Sequence, residues 1–194
     1  MADTYTLHIA GLTRELPICK VNDHMDIAAF IMFSDVELTE ACAAALLKKA
    51  PEFDVILTAE ASGIALAAVC AYKYGVPMVY AKKAKSDNIE GGLYTSEVYS
   101  YTYKKKVTQL LSREWLNSDN HVLIIDDFMA NGEAMRGLCD IVSAAGATLV
   151  GIGCAVEKGF QGGGDRLRAA GVNLKSLAII ESAQPGNIVF RDDD

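Results

Sequence analysis

Residues Val122-Leu123-Ile124-Ile125-Asp126-Asp127-Phe128-Met129-Ala130-Asn131-Gly132-Glu133-Ala134 set two adjacent carboxylates after an apolar run and follow them with small residues. The run predicts a buried strand, and the small residues predict a tight turn that opens a helix over 132–144. In an open α/β sheet ligands bind beyond the carboxyl ends of the strands, which is where this turn falls. Free N–H groups at a helix start, beside a glycine that lets the backbone come close, favour a phosphate. Asp126 and Asp127 can accept hydrogen bonds from vicinal hydroxyls. A phosphate seat next to a diol acceptor describes a ribose phosphate. A plainer reading fits equally well, in which one of the acids only caps the following helix. Other phosphate-binding patterns fit worse: the chain has no Gly-x-x-x-x-Gly-Lys loop and no Gly-x-Gly-x-x-Gly after its first strand.

The flanking sequence supplies a β-α-β rhythm to carry this turn. Val55-Ile56-Leu57-Thr58 reads as a strand, alanine-rich residues 63–74 as a helix, and Val76-Pro77-Met78-Val79-Tyr80 as a second strand. The pattern returns with a strand over 121–125, the helix over 132–144, a strand over 147–153, a helix over 163–170 and a last strand over 173–181. Runs apolar on both faces and joined by helices require a parallel sheet covered on both sides, so the class is α/β. Gly151-Ile152-Gly153 lies inside one strand, where it indicates close packing. Ser34-Asp35-Val36-Glu37 has the spacing of a capping box before a helix over about 35–49. Residues 5–9 and 15–18 alternate around Gly11 and predict a small accessory hairpin. The polar segment 84–95 reads either as a long mobile loop or as part of an exposed hairpin, with 95–103 alternating like a strand.

Composition bounds the function. One domain accounts for 194 residues. A formal charge of -7 argues against a sequence-independent grip on nucleic acid. No stretch approaches the length of a membrane span, and the amino terminus does not read as a signal peptide, so a soluble, cytoplasmic protein is expected. Cys19, Cys42, Cys70, Cys139 and Cys154 are too irregularly spaced for a disulfide framework and read as small core residues. His8, His24 and His121 give little support to a protein-built metal site.

Residues 122–134 resemble the phosphoribosyl pyrophosphate (PRPP) motif of the type I phosphoribosyltransferases. The resemblance extends over roughly 52–185, through Thr58-Ala59-Glu60-Ala61-Ser62-Gly63-Ile64-Ala65, Val76 to Ser86, Val98-Tyr99-Ser100-Tyr101 and Val156-Glu157-Lys158-Gly159-Phe160. It is strongest to the bacterial xanthine-type enzymes and more distant to the effector domain of a PRPP-sensing repressor. It implies one type I phosphoribosyltransferase domain over 1–194, with a mostly parallel central sheet flanked by helices. Residues 1–34 would contribute a small hood over the base pocket. By the same resemblance, Asp126 and Asp127 hold the ribose hydroxyls, and Ala130, Asn131, Gly132, Glu133 and Ala134 cradle the 5′-phosphate. Glu60, Ala61, Ser62 and Gly63, with Lys82 and Lys83, bind pyrophosphate. Residues 84–95 close over the reacting centre, and Lys158 and Phe160 meet the base. A Mg²⁺ ion held mainly by pyrophosphate and water is implied, as is a homodimer. The reaction would move the phosphoribosyl group from PRPP to a purine in salvage.

The choice of base has one physical handle. A lysine ammonium has three donors and no acceptor, so Lys158 suits a carbonyl at purine position 6. Ser62 also stands where adenine enzymes of the family carry Arg. The short segment 16–26 instead resembles some proteins assigned to adenine, which keeps adenine as the alternative. A non-catalytic PRPP sensor is disfavoured, because no amino-terminal helix-turn-helix is visible and the chain is acidic.

Overall fold

The computed structural model describes residues 4–22, 25–32, 34–83, 92–100, 105–185 and 187–191. Its centre is a six-stranded sheet in the order β11-β10-β9-β8-β4-β5. The strands are β4 (Val55–Ala59), β5 (Met78–Ala81), β8 (His121–Met129), β9 (Thr148–Lys158), β10 (Leu174–Gln184) and β11 (Asn187–Phe190). All pairings are parallel except that of β11 with β10. Every residue of β4 is buried, as is Val122 to Asp127 of β8, which is why these segments are apolar without alternation. After β4 the chain steps to β5 on one side, and it returns at β8 on the other. The order therefore reverses between β4 and β8, and a crevice opens at their carboxyl ends.

Helix α2 (Gly63–Tyr74) follows β4 and helix α3 (Glu133–Ala144) follows β8, and they cover opposite faces. On one face Leu66, Ala67 and Cys70 of α2 join Cys42 and Leu46 of α1 (Val36–Lys48). On the other, Met135, Leu138 and Ile141 of α3 pack against Leu57, Val122 and Ile124. Gly153 faces the α1 side, where a Cβ on it would sit 2.8 Å from Ile125 Cδ1 and 3.3 Å from Leu46 Cδ2. Helix α4 (Gly163–Ala169) links β9 to β10.

Two smaller sheets complete the molecule. β1 (Thr4–Ile9), β2 (Leu12–Asn22) and β3 (Met25–Ala28) form an antiparallel three-stranded unit that buries Leu7, Ile9 and Leu16. β6 (Leu93–Ser100) and β7 (Lys105–Ser112) form a hairpin whose Tyr94, Ser96, Val98, Gln109 and Leu111 are buried, so it is not a plain exposed hairpin. Residues 93–95 belong to β6 and not to a loop, and 84–91 and 101–104 lie outside the described residues. Asp35, not Ser34, caps α1: its carboxylate accepts the Leu38 N–H at 2.9 Å and is anchored by Arg14 at 2.6 Å. Cys42, Cys70 and Cys154 are core residues, and burial pushes the first two thiols up to about 12. Cys19 departs from that expectation and is exposed on β2.

Candidate active site

The turn after β8 is held by backbone geometry. Gly132 caps α3 with φ 79°, a left-handed conformation that glycine takes without a Cβ clash. Asn131 Oδ1 accepts the Glu133 N–H at 3.2 Å. The next first-turn amides, on Ala134 and Met135, have no helical carbonyl behind them and stay available to an anion. Gly163 of α4 presses on this turn so closely that a Cβ would lie 2.4 Å from the Asn131 carbonyl carbon. Arg166 adds a bond to the Asn131 carbonyl at 2.8 Å.

Neither acid caps α3, so the plainer reading of the pair does not hold. Asp126 Oδ1 accepts the Asp127 N–H at 3.0 Å, and Asp127 Oδ1 accepts the Ser62 hydroxyl at 2.8 Å. The two side chains diverge in environment. Asp126 lies against the start of α2, where a Cβ on Gly63 would be 2.3 Å from its Oδ1. Burial first, and the Asp127 charge second, raise Asp126 well above the usual carboxylate range, while Lys83 opposes the shift. Asp127 faces the neighbouring cavity.

The segment after β4 meets the acids directly through Ser62 and Gly63. Glu60 turns aside, its Oε1 accepting the Lys83 N–H at 2.5 Å, and the Glu60–Ala61 peptide is cis. Lys82 and Lys83 stand at the end of β5, with Lys82 pairing its backbone with Leu110 of β7 at 2.8 Å in both directions. The residues singled out after β4, β5 and β8 thus gather around one crevice.

Beside Asp127 opens a cavity of about 330 Å³, the lower end of the range for small-ligand pockets. Ile27 to Ile31 form one wall, Ile180, Ala183 and Ile188 another, and Ser62, Asp127, Phe128, Lys158 and Phe160 the side toward the crevice. Lys158 Nζ lies 4.9 Å from the Phe128 ring centroid, a cation–π distance, and burial lowers its pKa. Phe160 is on the cavity wall as expected; Tyr80 is 38% exposed and is not on it. Sequence reasoning gave Phe128 no role at the base, and placed the hood in residues 1–34 without singling out Ile27 to Ile31. Phe128 directly follows the acidic pair, and Ile27-Ala28-Ala29-Phe30-Ile31 is an apolar run, so both carried a local signal.

Comparison with known proteins gives the class. A family model described as the phosphoribosyl transferase domain matches residues 37–172. The xanthine phosphoribosyltransferase of Bifidobacterium longum (strain NCC 2705) is 58% identical over 139 residues, covering 70% of this chain and 72% of that protein. The protein of the same name from Bifidobacterium adolescentis is 52% identical over 162 residues, covering 81% and 84%. Among solved structures, adenine phosphoribosyltransferase from Rhodothermus marinus superposes with a TM-score of 0.67 at 18% identity, over 91% of this chain and 94% of that one. That likeness speaks for the fold. The chain belongs to the phosphoribosyltransferase family, has its type I fold and is an enzyme of the pentosyltransferase type.

Proposed function

We propose that this enzyme transfers the 5-phosphoribosyl group of PRPP to a purine, with xanthine the preferred base, releasing pyrophosphate in purine salvage. The observation that carries the oxopurine part of that assignment is Lys158: a donor-only ammonium in a mostly apolar cavity that Ser62 and Asp127 also line. Such a group matches the carbonyl at purine position 6 and leaves adenine's amine without an acceptor. The relatives named for xanthine, 58% and 52% identical over 139 and 162 aligned residues, support the same base.

In this reading the ribose sits at the junction of the two acids and the 130–134 turn. The 130–134 turn seats the 5′-phosphate on its backbone amides, with the Glu133 N–H released from Asn131 Oδ1 to join them, and Asp126 and Asp127 hold the ribose hydroxyls. Glu60 to Gly63 with Lys82 and Lys83 receive pyrophosphate; Glu60 contributes by fixing the Lys83 backbone. The bond from the anomeric carbon to pyrophosphate oxygen breaks as a bond to a ring nitrogen forms on the opposite face. Positive charge grows on the ribose ring, next to the carboxylate of Asp127, which stabilises it. Phe128 and Phe160 flank the base, and Ile27 to Ile31 supply the hood over it.

The donor set fits a Mg²⁺ ion that arrives with its substrate. Only one acid of the pair faces the cavity, and among the described residues no three His, Cys, Asp or Glu side chains converge. When bound, that ion neutralises charge on pyrophosphate. The family resemblance further supports a homodimer, for which a solution mass of two chains is expected and a mass of one chain is contrary. No described helix is long and apolar enough to cross a membrane.

The test is pyrophosphate release with PRPP, Mg²⁺ and each of xanthine, guanine, hypoxanthine and adenine. Xanthine is expected to give the highest kcat/KM. Preference for adenine overturns the base assignment, and no release with any purine overturns the reaction.

A further inference from the structure

We propose that Gln109 of β7 is a positioning residue for PRPP, holding the 5′-phosphate turn in register with the pyrophosphate lysines. The inference rests on the reading above. Gln109 is 1% exposed, and its Nε2 donates to the Ala134 carbonyl, in the first turn of α3, at 3.2 Å. Its Oε1 is buried without a hydrogen-bond partner among the described residues.

A buried amide with one end unmet is a poor stabiliser. The desolvated oxygen costs about as much as the single neutral bond returns, and an apolar side chain of similar shape would fold at least as well. Stability therefore does not account for a glutamine here. Position does. The adjacent residue, Leu110, exchanges both backbone hydrogen bonds with Lys82 at 2.8 Å. Consecutive residues of one strand thus tie down the two places where the substrate's negative charges bind. Their separation must match the distance between the two ends of PRPP, and β7 fixes it.

The contact is built from the helix side as well. Gly137, one turn beyond Ala134, has no Cβ; one there would lie 2.2 Å from Gln109 Oε1 and 2.5 Å from Val98 Cγ1. The other strand of the hairpin grips the same helix. Ser96 Oγ donates to Asp140 at 2.8 Å, and Arg136 donates to the Glu97 carbonyl at 2.8 Å. The hairpin keeps its place without Gln109, so removing that one amide deletes a single tie to the first turn of α3 and leaves the sheet in place.

The experiment compares wild type with Gln109→Leu and the longer isostere Gln109→Met. Measured are PRPP binding by calorimetry with Mg²⁺, KM for each substrate, and melting temperature. Expected is PRPP binding weakened about five- to tenfold, purine KM within about twofold, and a melting temperature equal to or above wild type. Unchanged PRPP binding overturns the inference, as does a parallel loss of melting temperature and of both substrates, which would make Gln109 a packing residue. PRPP uptake that weakens in the variants upholds it even if no purine is ribosylated, so this inference and the transferase reading can fail separately. Absence of uptake by wild type overturns both.

Discussion

The two ends of the site are built by different means. The proposed phosphate end is one continuous stretch, Asp126 to Ala134, in which strand, turn and helix follow each other and the groups proposed to bind are mostly backbone amides. The proposed base end is assembled from six separated segments: Ile27–Ile31, Ser62, Asp127–Phe128, Lys158–Phe160, Ile180–Ala183 and Ile188. Its binding groups are side chains. Backbone recognition needs one turn of fixed geometry; side-chain recognition needs distant pieces brought into contact by the core. The first end should therefore fail through chemistry when mutated, and the second through affinity or through the packing that assembles it.

The sharpest way to break that contrast is Asp127→Asn. Asparagine keeps an oxygen to accept the Ser62 hydroxyl but removes the charge beside the reacting ribose. The expected loss of kcat/KM is roughly 10²- to 10³-fold, the scale seen when a preorganised electrostatic group is removed. Little change in melting temperature should accompany it. Equal damage to turnover and stability would make the acid a structural residue and the two ends alike.

On the base side, scaffolding should matter most at Arg168. Its guanidinium donates twice to Glu157, at 2.6 and 3.0 Å, and Ser176 donates to the same carboxylate at 2.6 Å. Glu157 is fully buried, next to Lys158 in β9. Burial raises its pKa, but Arg168 and Ser176 together hold it below the usual range. Arg168→Leu leaves that carboxylate short of its cation and is expected to cost about 3 kcal/mol in urea unfolding. Adding Glu157→Gln should recover part of the loss by removing the stranded charge. Xanthine KM should rise while PRPP binding holds.

The same contrast governs what the sequence disclosed. β4, β8 and β9 were legible because burial on both faces leaves an unbroken apolar run, and the acid pair was legible because its neighbours in space are its neighbours in the chain. Sequence alone could not decide between helix cap and ligand group for Asp126 and Asp127; the structure removes the cap, since Gly132 is the N-cap of α3 without a side-chain bond, and Asp127 instead accepts the hydroxyl of Ser62, 65 residues away. β7 has partly exposed residues at its start and weak alternation, so only its pairing with β6 identifies it. β11 is a four-residue edge strand, too short for a periodic signal. Phe128 lay inside the recognised motif, yet its contact with Lys158, which arrives on another strand, could not be read there.

Removing the base-end donor separates the two regions further. Lys158→Met keeps an unbranched apolar side chain, one atom shorter, while deleting three donors and the ammonium that lies over the Phe128 ring. A hydrogen bond to a charged group is worth enough that xanthine KM should rise roughly ten- to a hundredfold. Discrimination between xanthine and adenine should narrow by a similar factor, with PRPP binding within twofold. An equal rise in both KM values would mean that the lysine serves the phosphates and not the purine.

The smallest expected effect is the pH dependence of that same lysine. Burial disfavours its ammonium form, so its folded pKa lies below the ordinary 10.5. Xanthine KM should begin to rise on the alkaline side before pH reaches 10.5, as the donor is lost, and Lys158→Met should flatten the rise. Stability moves the other way. The unfolded chain holds this proton more tightly than the folded one, so ∂ΔG/∂pH from this group is positive between the two pKa values. The penalty for burying the charge is fully present at neutral pH and is relieved as pH climbs through the folded pKa toward 10.5. Binding should therefore weaken in the same alkaline window where this group's contribution to stability improves, and Lys158→Met should abolish both trends. A wild-type xanthine KM that stays flat across that window would detach Lys158 from base recognition and leave the cavity as an apolar slot.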